Sequence, residues 1–399
     1  MLALIVRGAR MSGVFAIWGN AAKLLQRIGG SIMITRREFT RLAVAGAASQ
    51  VVSPLLAQGG DRKIGYCIIG LGRISMDHFM PGVLATKNSK ITGLVSGHRD
   101  KALAQAGKYG VPESSIYSYE NMDQMKNNPA IDAVYVALPN SMHAEYTIRS
   151  ARAGKHVLCE KPMATSIADS MAMIKACKEA NKKLMIAYRC HYEPTNLRAM
   201  QLIREGKLGK IQAIESANGF KERAGEWRLD RKLAGGGPLM DMGVYSLNAC
   251  RYLTGEEPVE LKGYSSVIDH DGRFDTVEEN VSWTMKFPSG VVASCNTSYG
   301  APMNGFYRVH GSLGYLYAEP AFPYQGLHLT AQFADPAGGK PIMLDEPNPN
   351  KDPSQFTAQA DYFSDCIVKD QTPKTAGEEG LLDMQYMSKI YESCGLPSL

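Results

Sequence analysis

The stretch Lys63-Ile-Gly-Tyr-Cys-Ile-Ile-Gly70-Leu-Gly72-Arg-Ile-Ser75 decides the fold. A short apolar run turns through glycines and leads into a helix-like segment at Asp77–Leu84. Glycines at such a turn let the backbone approach a pyrophosphate at a helix N-terminus, so the pattern predicts a dinucleotide site. The third small position is Ser75 in place of Gly or Ala, and a Gly-x-Gly by itself is weak. The chain beyond it strengthens the signal. Strand-like and helix-like segments alternate through Ile91–Ser96, Lys101–Tyr109, Ala133–Ala137, Ala144–Ala153 and His156–Cys159, the texture of a doubly wound parallel sheet.

From Gly209 the texture changes. Alternating apolar and polar residues at Ile211–Ala217, Leu261–Val267, Asn280–Phe287, Val291–Ser298 and Arg308–His310 predict a mainly antiparallel sheet. A chain of 399 residues exceeds one compact core. The expected organisation is therefore a Rossmann dinucleotide-binding domain over 61–185 (α/β) and a β-sheet domain for substrate and oligomerisation over 186–399 (α+β). The last helix-like segment, Gly377–Ser393, is expected to pack back on the body.

Charge separates the leader from the rest. Hydrophobic residues make up 45% and charged residues 21%, which suits a globular protein and argues against disorder. The net charge is +5, yet residues 1–57 hold seven Lys/Arg against the single acid Glu38. Setting these aside leaves 37 basic and 38 acidic residues, which removes the electrostatic case for nucleic acid as a partner. Arg36-Arg37-Glu-Phe39, then a mild apolar stretch ending at Ala57, reads as a twin-arginine export signal. Met33 reads as the better start, leaving 1–32 as an upstream extension. The apolar stretch falls short of the roughly 20 residues a spanning helix needs, so a stable membrane anchor is not expected. The expected route is export through the twin-arginine translocase to the periplasm, after folding and cofactor loading in the cytoplasm. The eight cysteines are scattered without metal-like spacing, and neither a metal site nor a disulfide is expected.

Several residues carry candidate chemistry. No carboxylate stands at Ser96, Gly97 or His98, where an NAD-specific site would place one, while Ser96, Arg99 and Lys101 could receive a 2′-phosphate. NADP is the expected nucleotide. Arg99 and Lys101 could equally be the solvated first turn of the next helix. Leu138-Pro139-Asn140-Ser-Met-His143 follows one strand at the sheet's C-terminal edge, where such folds bind ligands. Glu160-Lys161-Pro162 leaves the next strand and sets a cation at that edge, with proline marking a special turn. Asp241 and Tyr245, four residues apart after Gly235-Gly-Gly, would share one helix face. Taken alone, that pair could be a structural hydrogen bond.

In this order, Gly-Leu-Gly, Val-Ser-Gly, Leu-Pro-Asn-x-x-His, Cys-Glu-Lys-Pro-Met-Ala-Thr and Ala-Gly-Gly-Gly-x-Leu-Met-Asp-x-Gly-x-Tyr resemble the glucose–fructose oxidoreductase branch of the Gfo/Idh/MocA family. Tyr245 stands where most dehydrogenases of the larger group carry His. The resemblance implies a sugar oxidoreductase with tightly bound NADP that oxidises an aldose at C1 to the lactone and reduces a ketose to the alditol. Tyr245 is then the acid/base. A phenol titrates near pH 10, so it needs a neighbouring cation to work near neutrality, the part given to Lys161. Asp241 orients Lys161 or the sugar.

The resemblance also puts Gly70, Leu71, Gly72, Arg73, Ile74, Ser96, Lys101, Leu138, Pro139, Asn140, His143, Glu160 and Lys161 on the nucleotide. Arg189, Trp227 and Arg228 are assigned to cofactor or sugar, and Lys161, Arg228, Asp241, Tyr245 and Tyr324 to substrate. Family members that never release NADP carry a long Pro-rich arm. Here only Gln58–Arg62 would separate signal from strand, which puts permanent retention and an arm-braced tetramer in question. A homo-oligomer, dimer or tetramer, is expected, with a dimer through the flat face of the second sheet the preferred form. The alternatives are a sugar dehydrogenase or aldose–aldose oxidoreductase with exchangeable cofactor, and a non-catalytic sugar-binding module.

Overall fold

Every residue of β1 (Ile64–Ile69) is buried, as a strand covered on both faces requires. The computed structural model describes residues 62–399, so the leader read over 1–57 lies outside the described residues. β1 sits at the centre of a six-stranded parallel sheet of order β3-β2-β1-β4-β5-β6. Its other strands are β2 (Ser89–Val95), β3 (Ile116–Tyr117), β4 (Ala133–Val136), β5 (His156–Cys159) and β6 (Leu184–Ile186). Crossing back from strand 3 to strand 4 past β1 opens a crevice at the sheet's C-terminal edge.

The second sheet has eight strands: β7 (Ile211–Gly219), β8 (Glu260–Ser266), β9 (Asn280–Lys286), β10 (Val292–Ser298), β11 (Met303–Gly311), β12 (Gly314–Ala318), β13 (His328–Phe333) and β14 (Ile342–Pro347). Their order is β14-β13-β12-β11-β7-β10-β9-β8, antiparallel except between β7 and β10. β9 shows why one face is core: Val281, Trp283 and Met285 are buried while Ser282, Thr284 and Lys286 are exposed. The helices Val244–Thr254 and Gly377–Ser393 pack on this buried side, the latter with the bounds expected of it.

The expected division at 185/186 falls within β6, and the chain after 186 does not stay with the second sheet. Helix Ser354–Val368 returns to the parallel sheet, where Tyr66 Oη pairs with Ser364 Oγ at 3.0 Å and Asn88 Nδ2 donates to Asp365 Oδ1 at 2.6 Å. Among the described residues no helix is long and apolar enough to cross a membrane. The eight cysteines are unbridged, and the buried Cys250 and Cys295 sulfurs lie 3.8 Å apart.

A buried polar chain fixes the helix Val244–Thr254. His191 Nε2 meets Asn248 Oδ1 at 2.7 Å, Asn248 Nδ2 donates to Asp383 Oδ2 at 3.0 Å, and Arg251 Nη1 donates to Asp383 Oδ1 at 2.5 Å. Burial pushes the His191 imidazole down to about 4, so it is neutral when folded and charges near 6.5 when unfolded. The unfolded chain therefore binds the extra proton. The contribution is complete above pH 6.5 and is lost as pH falls towards 4, on the order of 3 kcal/mol in all. Denaturant titrations at pH 7, 6, 5 and 4 should show this fall, and a shallower one in His191→Gln.

Candidate active site

The crevice is a cavity of about 670 Å³ between the C-terminal edge of the parallel sheet and the ends of β7 and β11. Its floor is the glycine turn. Gly70 has φ +95°, and a Cβ there would lie 2.4 Å from the Ala137 carbonyl oxygen, so no other residue fits. A Cβ at Gly72 would meet nothing within 4 Å, which leaves an open cradle at the start of the following helix. Ser75 fills the third small position and donates its hydroxyl to the Gly70 carbonyl at 2.6 Å, tying the turn to the helix. Gly72, Arg73 and Ile74 line the cavity, whereas the Leu71 side chain is buried in the core. That cradle fits a dinucleotide.

Leu138, Pro139, Asn140 and His143 form one wall. Asn140 Nδ2 donates to the Ala234 carbonyl at 2.9 Å, and the His143 ring sits between the Pro162 and Leu138 carbonyls at 2.9 Å each. Burial pushes this imidazole down, and a neutral ring can donate to only one of the two carbonyls. Ser96 and Lys101 are not in the cavity. Ser96 closes β2 beside β1, with its hydroxyl accepting from the His98 N–H at 3.1 Å, and Lys101 is exposed. Arg99 is paired with Glu113.

The chemistry concentrates around Asp241. Lys161 Nζ donates to Asp241 Oδ1 at 2.8 Å and to the Asp241 carbonyl at 2.7 Å. Arg228 Nε and Tyr299 Oη both donate to Oδ2 at 2.9 Å. Burial alone would raise the carboxyl; Lys161 and Arg228 outweigh it and hold Asp241 well below the usual carboxylate range. Burial would likewise strip the proton from Lys161, but Asp241 and Tyr245 keep it charged. Its ammonium lies 4.6 Å from the centre of the Tyr245 ring. Glu160 accepts from Tyr135 Oη at 2.5 Å and from the Lys161 N–H at 3.2 Å, and burial raises its carboxyl. The Lys161–Pro162 peptide is cis.

Asp241 and Tyr245 meet at the cavity, but not on one α-helical face. Residues Leu239–Gly243 wind as a π-helix, and Tyr245 opens the α-helix Val244–Thr254. A wider turn of this kind often marks a functional site. Trp227 stacks under the Arg228 guanidinium at 4.7 Å, and Tyr324 lies on the opposite side, its phenol pushed up by burial to about 12. Arg189 is buried behind Tyr245 and Tyr324. The sequence reading missed Tyr299, which completes the Asp241 shell. It also missed His78 and Asp352, paired at 2.7 Å, with His78 in the cavity wall. Tyr299 follows a strand with no local motif, and His78 and Asp352 are distant in the chain.

Comparisons with known proteins place the chain in a family. Residues 64–188 match the oxidoreductase family with an NAD-binding Rossmann fold, and residues 196–317 match the GFO/IDH/MocA C-terminal domain. The crystal structure of aldose–aldose oxidoreductase from Caulobacter crescentus, complexed with glycerol, is 44% identical. It superposes with a TM-score of 0.79 over 84% of this chain and 98% of that one. D-xylose 1-dehydrogenase [NADP(+)] of Haloarcula marismortui is 32% identical over 84% of this chain and 91% of its own. 1,5-Anhydro-D-fructose reductase of Ensifer adhaerens is 28% identical over 79% and 91%.

Proposed function

Because the chain belongs to the Gfo/Idh/MocA family of NAD(P)-binding sugar oxidoreductases, we propose that it oxidises an aldose at C1 to the lactone and reduces a second sugar in the same cavity. The observation that carries this reading is the Lys161–Asp241 pair set against Tyr245 beside the glycine cradle. When bound there, the nicotinamide accepts hydride from one sugar carbon and returns it to another. Tyr245 takes the C1 hydroxyl proton in the first half and gives a proton to the carbonyl oxygen in the second. Lys161 supplies the positive charge that favours the phenolate, and Asp241 fixes where that charge sits. Trp227, Phe322 and Tyr324 line the site with aromatic rings.

The 44% likeness to an aldose–aldose oxidoreductase favours a second aldose over a ketose as acceptor. NADP is the proposed nucleotide, supported by the absence of a carboxylate at Ser96–His98 and by the NADP-named xylose dehydrogenase. Export to the periplasm rests on the Arg36-Arg37 leader. A homodimer is proposed through the outer face of the second sheet, where Thr284, Ser294, Arg308 and Tyr317 point away from the core. The second reading, a dehydrogenase with exchangeable cofactor, is favoured by the likeness to D-xylose 1-dehydrogenase.

The test uses desalted protein without added nucleotide, given glucose with either xylose or fructose. Gluconolactone and a matching alditol are expected. Product only after NADP or NAD is supplied would select the second reading, and the preferred nucleotide tests Ser96 and Lys101.

A further inference from the structure

Three arginines are buried among the described residues: Arg189, Arg251 and Arg273. Arg251 is met by Glu257, Glu379 and Asp383, and Arg273 by Asp269 and Asp271. Arg189 pairs with no carboxylate among the described residues. Its Nη1 donates to Gln355 Oε1 at 2.6 Å and to the Pro323 carbonyl at 3.4 Å, its Nη2 donates to the Phe322 carbonyl, and its Nε has no partner. An uncompensated cation in a protein interior costs several kcal/mol, and fixed carbonyl dipoles recover only part of that. Such a group is expected where an anion forms transiently.

The place of the guanidinium says which anion. Its carbon lies 4.9 Å from the Tyr245 ring centre and 4.5 Å from that of Tyr324, so it is clamped between two phenols. Tyr245 is thus flanked by two cations, Lys161 and Arg189. The other charged or titratable groups around it include Asp241, which holds Lys161 and in turn accepts from Arg228 and Tyr299, together with Glu160 on the β5 turn, Cys190 beside Arg189, and Tyr324. Asp241 is ion-paired with Lys161, whereas Arg189 makes no ion pair among the described residues and meets a carboxyl only through the longer-range field of Glu160.

We propose that Arg189 is a positioning residue whose permanent charge stabilises the Tyr245 phenolate, so that Tyr245 can act as base near neutral pH. The proposal rests on the reading of Tyr245 as the acid/base. As the aldose C1 hydroxyl gives its proton to Tyr245 Oη the phenolate charge is quenched; the hydride lost from C1 would go to the oxidised nicotinamide that the cavity would hold. In the reverse half the charge reappears under the guanidinium. Gln355 and the Phe322 and Pro323 carbonyls accept from the guanidinium and hold Arg189 in place.

The test is the pH dependence of kcat for aldose oxidation in the full-length enzyme, with cofactor affinity measured alongside. Arg189→Met should move the rising limb to higher pH by about one unit, which is roughly a tenfold loss at pH 7 recovered in base. Arg189→Lys keeps a charge and should restore most of the profile. Cofactor affinity should stay within about twofold in both. An unshifted limb in Arg189→Met overturns the proposal, as does a loss of equal size at every pH or one accounted for by weaker cofactor binding. Should Arg189→Met not fold, a limb shifted in Arg189→Lys as far as one unit overturns it instead. Tyr245→Phe run in parallel separates the two readings: if that variant retains turnover, the assignment of Tyr245 fails, whereas an inactive Tyr245→Phe with an unshifted Arg189→Met removes only the role of Arg189.

Discussion

Tyr245→Phe should lower turnover by about 10³-fold while leaving the fold and the cofactor affinity unchanged. Phenylalanine keeps the ring that lies 5.6 Å from Phe322 and beneath the cations of Lys161 and Arg189, so packing survives and one oxygen is lost. That oxygen is the group placed to exchange a proton with the sugar, and neither Lys161 nor Arg189 can replace it. Lys161 has its proton held by Asp241, and a guanidinium does not give one up at working pH. Steady-state kinetics with saturating aldose, together with nucleotide binding by fluorescence, measure both arms. A variant within tenfold of the parent would sink the acid/base assignment. Unaltered sugar binding together with no turnover in the parent would select the non-catalytic module.

How legible a strand was depended on what covers it. β1, β4 and β5 are buried on both faces and read as short apolar runs bounded by turns. β7, β9 and β10 alternate, because one face meets helices and the other does not. β14 was illegible for a physical reason: none of its residues is fully buried, so no pattern is imposed on Ile342–Pro347. β13 carried the signal, with Leu329, Ala331 and Phe333 inward, and the sequence reading passed over it. Helix Ser354–Val368 hid differently. Gln355, Gln359 and Ser364 are buried polar residues on its packed side, which blurs the apolar stripe that marks a helix.

The site divides along the same lines. Lys161, Asp241 and Tyr245 sit in motifs with a family order, and the structure brings all three to one cavity. The spacing argument expected Asp241 and Tyr245 on one α-helical face; both do line the cavity, but a π-turn intervenes between them. Arg228 was expected on the cofactor or sugar, but its Nε is engaged by Asp241. Tyr299 was invisible because its only relation to Asp241 is made by the fold: it directly follows β10 and donates to the carboxylate that also accepts from Arg228.

Asp241→Ala should be the most damaging single change to the site after loss of the phenol, and it should fail in two measurable ways. The carboxylate is the shared acceptor of Lys161, Arg228 and Tyr299, with side-chain exposures of 10% for Lys161, 16% for Asp241 and 27% for Arg228. Removing it leaves two cations near each other with no anion between them. Breaking a buried pair from one side costs about 3–5 kcal/mol, and partial exposure to the open cavity brings this case below that range, to about 2–3 kcal/mol by denaturant titration. Turnover should fall by about 10²-fold, because Lys161 is no longer held over Tyr245. Asp241→Asn discriminates geometry from charge. Its amide oxygen can still accept from Lys161, but its NH₂ cannot accept from Arg228 or Tyr299, so an intermediate loss is expected in both assays. Because Lys161 and Arg228 hold the native carboxyl below its unfolded value, its contribution is complete above about pH 4 and disappears only in stronger acid. The parent should therefore keep the Asp241 share of its stability across the interval in which His191 loses its own. An Asp241→Ala variant with parental stability and turnover would show that the three donors find another partner, and that the carboxylate does not organise the site.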